Sequence, residues 1–169
     1  MERTAMAYDS TGAATPVISP DEVKGQMTRL LNEFVNDTAG VAHVLLASTD
    51  GIKQVICSHM DPDWADGLAA AFSGLAGLAK GVTGPTNKTM PAQQVLIERD
   101  DALFLVTHAG TGSAFNKCGD TVATVLVILA RTDANIGAVA FSAGRLVQRF
   151  APFMTTPVRA RDGRDNGVV

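Results

Sequence analysis

The residues VAHVLLASTDGIKQVICS, at positions 41–58, decide the fold. Two runs rich in β-branched and apolar residues, 41–49 and 52–58, flank the dipeptide Asp50-Gly51. An Asp-Gly pair between such runs is a strong signal for a two-residue hairpin turn, in which both turn residues take positive φ. This stretch therefore predicts two paired antiparallel strands.

A helix is predicted just before the hairpin, over residues 20–38. The segment Ser19-Pro20-Asp21-Glu22 supplies a capping serine, a proline at the first helical position and a glutamate three residues after the cap. Apolar residues then recur at steps of three and four, and Gly40 stands where a left-handed C-terminal cap belongs.

The chain after the hairpin continues as a helix, three strands and a helix. Their predicted positions are 62–82, 93–98, 102–108, 122–131 and from 136 onward. The order α-β-β-α-β-β-β-α, with hairpins in place of strict β-α-β alternation, predicts an α+β fold whose five-stranded, mainly antiparallel sheet is flanked by helices.

We expect one domain, at 19–154, between disordered tails at 1–18 and 155–169, because the tails have little to bury and no periodic pattern. A basic docking site at Arg159, Arg161 and Arg164 is an alternative role for the C-terminal tail.

Composition excludes several classes of function. With 169 residues and 46% hydrophobic content, the chain is suited to one packed core. A net charge of -3, with 18% charged and 5% aromatic residues, leaves neither a basic face nor stacking platforms for nucleic acid. Two cysteines, no signal-peptide pattern and no apolar run near the roughly 18 to 20 residues of a membrane span predict a cytoplasmic protein without membrane insertion.

The predicted helix at 62–82 has three faces. One stripe of mostly large apolar residues is predicted to face the core: Trp64, Leu68, Ala71, Phe72, Leu75, Leu78 and Val82. A second stripe is built of small residues: Gly67, Ala70, Gly74, Gly77 and Gly81. The third face is expected to be solvated and carries the polar residues Asp66, Ser73 and Lys80.

The small stripe needs a physical reason, because each glycine inside a helix costs about 0.5 to 1 kcal/mol relative to alanine. Small side chains allow another backbone to approach closely. Two interpretations follow: the stripe packs against another helix of the same chain, or it meets its own copy across the two-fold axis of a homodimer.

The polar residues do not form a recognisable catalytic set, so we expect no enzymatic activity, no cofactor and no metal. The sequence Cys57-Ser58-His59 offers two possible zinc ligands without a second pair, while His43 and His108 belong to or follow strands. The segment Gly110-Thr111-Gly112 is predicted to be a loop and lacks the lysine of a phosphate-binding loop. Residues 116–120, NKCGD, miss the guanine-reading spacing by one residue, so the chain is not itself a GTPase.

Two passages resemble the roadblock family, known also for dynein light chains and bacterial regulators of gliding polarity. Residues 40–52 match an apolar strand that ends in a Ser/Thr-x-Asp-Gly turn, and residues 133–137, DANIG, are similar to the Asp-x-Asn-Leu-Gly passage of bacterial members. The resemblance covers about 21–153. It departs from the family pattern at 113–122, which is either a longer loop or an extension of both flanking strands.

The resemblance implies a five-stranded sheet that dimerises into a ten-stranded one with the second helices adjacent. It also implies a non-enzymatic regulator of a Ras-like small GTPase. In actinobacterial members, the roadblock protein typically belongs to a signalling set with a sensor-kinase-like protein and the GTPase. Asp66, Ser73 and Lys80 are the hypothetical partner-binding positions, and neither Arg131 nor Arg145 is assigned as an arginine finger.

Two further functions are alternatives. The first is a scaffold or adaptor for a sensor-kinase-like complex that is insensitive to nucleotide. The second is a small-molecule or redox sensor, for which Cys57 and Cys118 are the only hints.

Overall fold

The computed structural model describes residues 6–8, 14–16, 20–90, 92–112 and 121–154. The strands are β1 Met6–Tyr8, β2 Ala14–Pro16, β3 Val41–Ser48, β4 Lys53–Ile56, β5 Gln94–Glu98, β6 Leu103–Gly112 and β7 Val122–Ala130. The helices are α1 Pro20–Asp37, α2 Pro62–Lys80 and α3 Ile136–Met154.

Five of the strands form one antiparallel sheet in the order β4-β3-β7-β6-β5. Together with the three helices, this confirms the predicted α+β class. Within the described ranges, the strands β1 and β2 pair with each other and with no other strand. They lie in the segment 1–18, outside the predicted domain at 19–154. Residues 155–169, with the hypothetical docking arginines, lie outside the described residues.

The hairpin between β3 and β4 is confirmed, but its turn is of a different type. Gly51 takes φ +93, whereas Asp50 does not take positive φ. The Gly51 amide donates to the Ser48 carbonyl at 3.0 Å, and the Ser48 amide donates to the Ile52 carbonyl at 2.9 Å. This is a turn closed by one left-handed glycine, and a register shift between Leu46 and Ala47 accompanies it.

Helices cover both faces of the sheet. Phe72 of α2 stacks on Phe104 of β6 with ring centroids 5.0 Å apart, which identifies the face toward α2. Cross-strand register places Leu45, Val106 and Val127 on that same face. Residues that alternate with them pack toward α1 and α3 and are fully buried: Val44, Leu46, Leu126 and Ile128.

The strand β6 is longer than expected. It continues through Gly110-Thr111-Gly112, so the predicted loop at these residues is wrong, and His108 lies within the strand. A register shift between His108 and Gly110 accompanies φ +95 at Gly110. The additional residues pair with β7, which begins at Val122 as predicted, so only β6 is longer than the sequence indicates. Residues 113–120 lie outside the described residues.

Gly40 joins the turn before β3 to the turn after β7. It takes φ +86, which confirms the predicted left-handed cap of α1. Its carbonyl accepts a hydrogen bond from the Arg131 amide at 2.8 Å. A Cβ at this position would lie only 2.5 Å from the Cβ of Ala134. Both sequence passages that resemble the roadblock family therefore meet at one contact.

Candidate functional site

The side of α2 that faces the sheet combines three small residues with one phenylalanine. Its buried residues are Ala65, Ala69, Phe72 and Ser73. The predicted core stripe is therefore wrong in large part, since Leu78 is 75% exposed and Val82 is 67% exposed. Nearly every position on this helix is apolar or small, so periodicity does not show which stripe faces inward.

Four contacts fix α2 against the β3–β4 hairpin. The Ser73 hydroxyl donates to the Ser48 carbonyl at 2.7 Å, and both residues are buried. The Lys53 ammonium lies 2.7 Å from a carboxylate oxygen of Asp66 and also donates to the Pro62 carbonyl. A Cβ on Gly51 would lie 3.3 Å from the Ala70 Cα, so the hairpin turn and the helix are in close contact.

The three residues that the sequence places on one solvated face of α2 lie in different environments in the structure. Asp66 is exposed and ion-paired, and Lys80 is exposed in the last turn. Ser73 is buried, so its assignment to a solvated, partner-binding face is wrong. A serine between aromatic and glycine neighbours gives no sequence signal for the side it faces, and here its hydroxyl satisfies a backbone carbonyl.

The small stripe faces outward. A Cβ built on Gly67, Gly74 or Gly77 meets no atom within 4 Å. The interpretation in which these glycines pack against another helix of the same chain is therefore wrong for the described residues. Ala70 contacts the hairpin at Gly51, and Gly81 is the C-terminal cap of the helix.

The outer surface of α2 carries no charge over most of its length. Every residue from 67 to 79 is apolar or glycine except Ser73, which is buried. The exposed residues in this segment are Gly67, Ala70, Ala71, Gly74, Gly77 and Leu78. Charged groups occur only toward the two ends of the helix, at Asp63 and Asp66 and at Lys80. An apolar exposed helix face of this kind is typical of an interaction site.

The N-terminal end of α2 packs on a histidine. Asp61 caps the helix by accepting a hydrogen bond from the Trp64 amide at 2.8 Å. The Trp64 ring meets the His43 ring edge-on, with centroids 5.4 Å apart. Burial, with a smaller contribution from the charge of His59, lowers the pKa of His43. His43 therefore resists protonation in the folded protein.

Other kinds of site find little support in the described part of the chain. The Cys57 sulfur lies 4.0 Å from His43 Nδ1, but Cys57 is only 1% exposed; Cys118 is outside the described residues. In the described ranges, no three histidine, cysteine or acidic side chains cluster closely enough to hold a metal. None of the helices described is long and apolar enough to cross a membrane.

Neither arginine considered from the sequence lies on the outer face of α2. Arg131 precedes α3 and makes a two-point ion pair with Asp133, with its Nε 2.9 Å from Oδ1. Arg145 lies on α3, on the opposite side of the sheet from α2.

The family model described as the Roadblock/LC7 domain matches residues 27–115, more than half of the chain. The chain belongs to the roadblock/LC7 family. Among proteins of curated function, no sequence matches this roadblock chain.

Solved roadblock structures are similar to this chain over most of its length. One roadblock/LC7 domain from Streptomyces avermitilis is 26% identical with a TM-score of 0.64, over 75% of this chain and 95% of that one. Another from the same organism is 29% identical with a TM-score of 0.56, over 73% and 97%. The gliding protein MglB from Thermus thermophilus shares the fold at 17% identity and a TM-score of 0.60, over 91% and 98%.

Proposed function

We propose that this roadblock protein is a cytoplasmic, non-enzymatic homodimer that binds a Ras-like small GTPase and modulates its nucleotide state or its signalling. The observation that carries the proposal is the uncharged, exposed outer face of α2. An exposed apolar face of this kind is explained by binding to another protein rather than by packing inside the protomer. The family resemblance suggests two such proteins, a second copy of this chain and a Ras-like GTPase.

The homodimer uses the small stripe and one edge of the sheet. Gly67, Gly74 and Gly77 leave open space above the helix, into which the backbone of a second α2 can fit. Among the described strands, β5 has β6 on one side only, so its other side presents backbone groups that no described strand pairs with. Pairing of β5 with its copy would extend the sheet to ten strands and bring the two α2 helices together.

The GTPase binds at the α2 layer of this dimer, with Asp66 and Lys80 as its polar contacts. Charges at the rim of an interface mainly steer association and set orientation. No arginine finger is assigned, so any effect on hydrolysis acts by positioning the GTPase's own groups.

The test uses the Ras-like GTPase encoded nearest this gene. Its affinity for the protein is measured in the GDP-bound and GTP-analogue forms, and its hydrolysis rate is followed with and without the protein. A preference for one nucleotide form is expected, and the hydrolysis rate then separates a regulator from an effector. Equal affinity for both forms would instead support the scaffold or adaptor of a sensor-kinase-like complex.

The site is tested by two substitutions, Asp66→Ala and Lys80→Ala. Each is expected to weaken GTPase binding roughly two- to fivefold, mainly through a slower association rate. Lys24→Ala, on the exposed surface of α1, is the matched control and should leave the affinity unchanged. Unaltered affinity in both α2 variants would refute the placement of the GTPase on this layer.

A further inference from the structure

A groove lies between α1 and α3, on the side of the sheet opposite α2. Its volume is about 220 Å³, enough to admit one aromatic side chain. Phe34 of α1 and Leu146 of α3 are buried and form its apolar floor. Its rim is polar and comprises Asp37, Thr38, Ser142, Arg145 and Arg149.

Two opposite charges line this groove without a partner. Asp37 ends α1 and Arg145 lies in the middle of α3, and neither makes an ion pair within the described residues. Arg149, by contrast, lies 2.7 Å from Glu33 of α1. The groove therefore presents one unpaired anion and one unpaired cation among the residues that the structure describes.

The position of Asp37 makes an external cation favourable. A carboxylate at the C-terminal end of a helix is repelled by the helix dipole, and α1 has no basic residue in its last turn to compensate. A positive charge supplied from outside the protomer would stabilise this end of α1.

An exposed aromatic residue stands beside the groove. Phe141 is 71% exposed and lies one helical turn before Arg145, on the same face of α3. Aromatic residues and arginine are the residue types enriched at the centres of protein interfaces. The outer face of α3 thus combines an apolar anchor, an unpaired cation and a groove of matching size.

We propose that a second copy of this chain occupies the groove across a two-fold axis. Phe141 of each copy enters the groove of the other, and Arg145 of each copy pairs with Asp37 of the other. A two-fold contact requires a self-complementary surface, and one unpaired charge of each sign meets that requirement. A foreign partner of a single charge sign would leave one of the two groups unpaired.

The groove contact is independent of the proposed homodimer through α2. The number of chains in the assembly, however, depends on whether that homodimer also forms. With both contacts present and their two-fold axes meeting at right angles, the chains close as a tetramer. With the groove contact alone, the protein is a dimer.

The test is the molar mass by sedimentation equilibrium at high micromolar concentration. The wild-type mass is expected to correspond to four chains. Arg145→Asp and Asp37→Arg each place like charges opposite one another and should halve it. The combined Asp37→Arg, Arg145→Asp variant restores opposite charges and should restore the mass. Wild-type mass in both single variants, or no recovery in the combined one, would overturn the proposal.

Further variants separate this contact from the one at α2. Phe141→Ser should also halve the mass, and Arg29→Asp, on the exposed surface of α1 outside the groove, should not. If only the α2 homodimer is wrong, the wild type is a dimer that Arg145→Asp converts to monomer. If only the groove contact is wrong, the wild type is a dimer that Gly74→Leu converts to monomer. Circular dichroism verifies that each variant is folded.

Discussion

Gly40 and Gly25 are two glycines whose replacement by alanine should have opposite effects. Gly40 has φ +86, and a Cβ there would lie 2.5 Å from that of Ala134, whereas a Cβ on Gly25 in α1 meets nothing within 4 Å. Gly40→Ala should lower the free energy of unfolding by roughly 2 to 4 kcal/mol through left-handed strain and overlap. Gly25→Ala should raise it by about 0.5 to 1 kcal/mol. Urea denaturation measures both, and equal effects would contradict this account of Gly40.

His43 should make stability depend on pH. Because its pKa is lowered in the folded state, mainly by burial, the unfolded chain binds the proton more readily. The contribution is therefore neutral above the unfolded pKa and becomes destabilising as pH falls through and below it. The wild type should lose more stability than His43→Asn between about pH 7 and about pH 5.

The control for His43 is His108→Asn, since His108 is exposed on β6. Urea midpoints at the two pH values measure the difference. If His43→Asn loses as much stability as the wild type, His43 is not the group responsible.

The structural role of a residue could be predicted from the sequence where the backbone conformation requires that residue type. Where it does not, the role could not be predicted. The left-handed cap at Gly40 follows from local chemistry at the end of a helix. The side to which Ser73 points does not, because α2 offers an apolar or small residue on nearly every face. Its orientation depends on how closely Ala65 and Ala69 allow the helix to approach the sheet, which is a tertiary property.

At the scale of elements, α2 provides the sharpest test of the proposed homodimer. Leucine at position 74 fits the protomer, since a Cβ there meets no atom within 4 Å, and it improves helix propensity. Gly74→Leu should therefore keep the fold and halve the molar mass, because the added side chain separates the two helices. Light scattering gives the mass, and Gly25→Leu in α1 is the matched control. An unchanged mass would disprove contact through the small stripe.

The order of elements could be predicted because glycine, proline and capping residues mark most boundaries. The extension of β6 through Gly112 could not, since threonine and glycine carry no alternating apolar pattern. That extension comes from pairing with β7, where Gly110, Thr111 and Gly112 oppose Thr124, Ala123 and Val122. The pair β1–β2 could not be predicted because each strand has only three residues, too few to show an alternating pattern.

At the scale of the whole molecule, association should make thermal stability depend on protein concentration. Binding of folded chains to one another shifts the unfolding equilibrium by mass action. The wild-type melting temperature should therefore rise with concentration. The combined Gly74→Leu, Arg145→Asp variant should melt at one temperature throughout, as measured by calorimetry over a roughly 100-fold dilution series. A concentration-independent wild type would rule out both contacts.

The two ends of the sheet differ in a way that limits growth. The strand β4 has only four residues, begins with Lys53 held against Asp66, and pairs with a β3 whose register shifts at Leu46. The strand β5 pairs in unbroken register and contains no lysine. Lysine, short length and irregularity are features that discourage the addition of a further strand. Strand pairing through β5 would thus stop at two chains, because the β4 edges left at both ends of the extended sheet discourage a further strand. This limit protects the protein from polymerising into filaments.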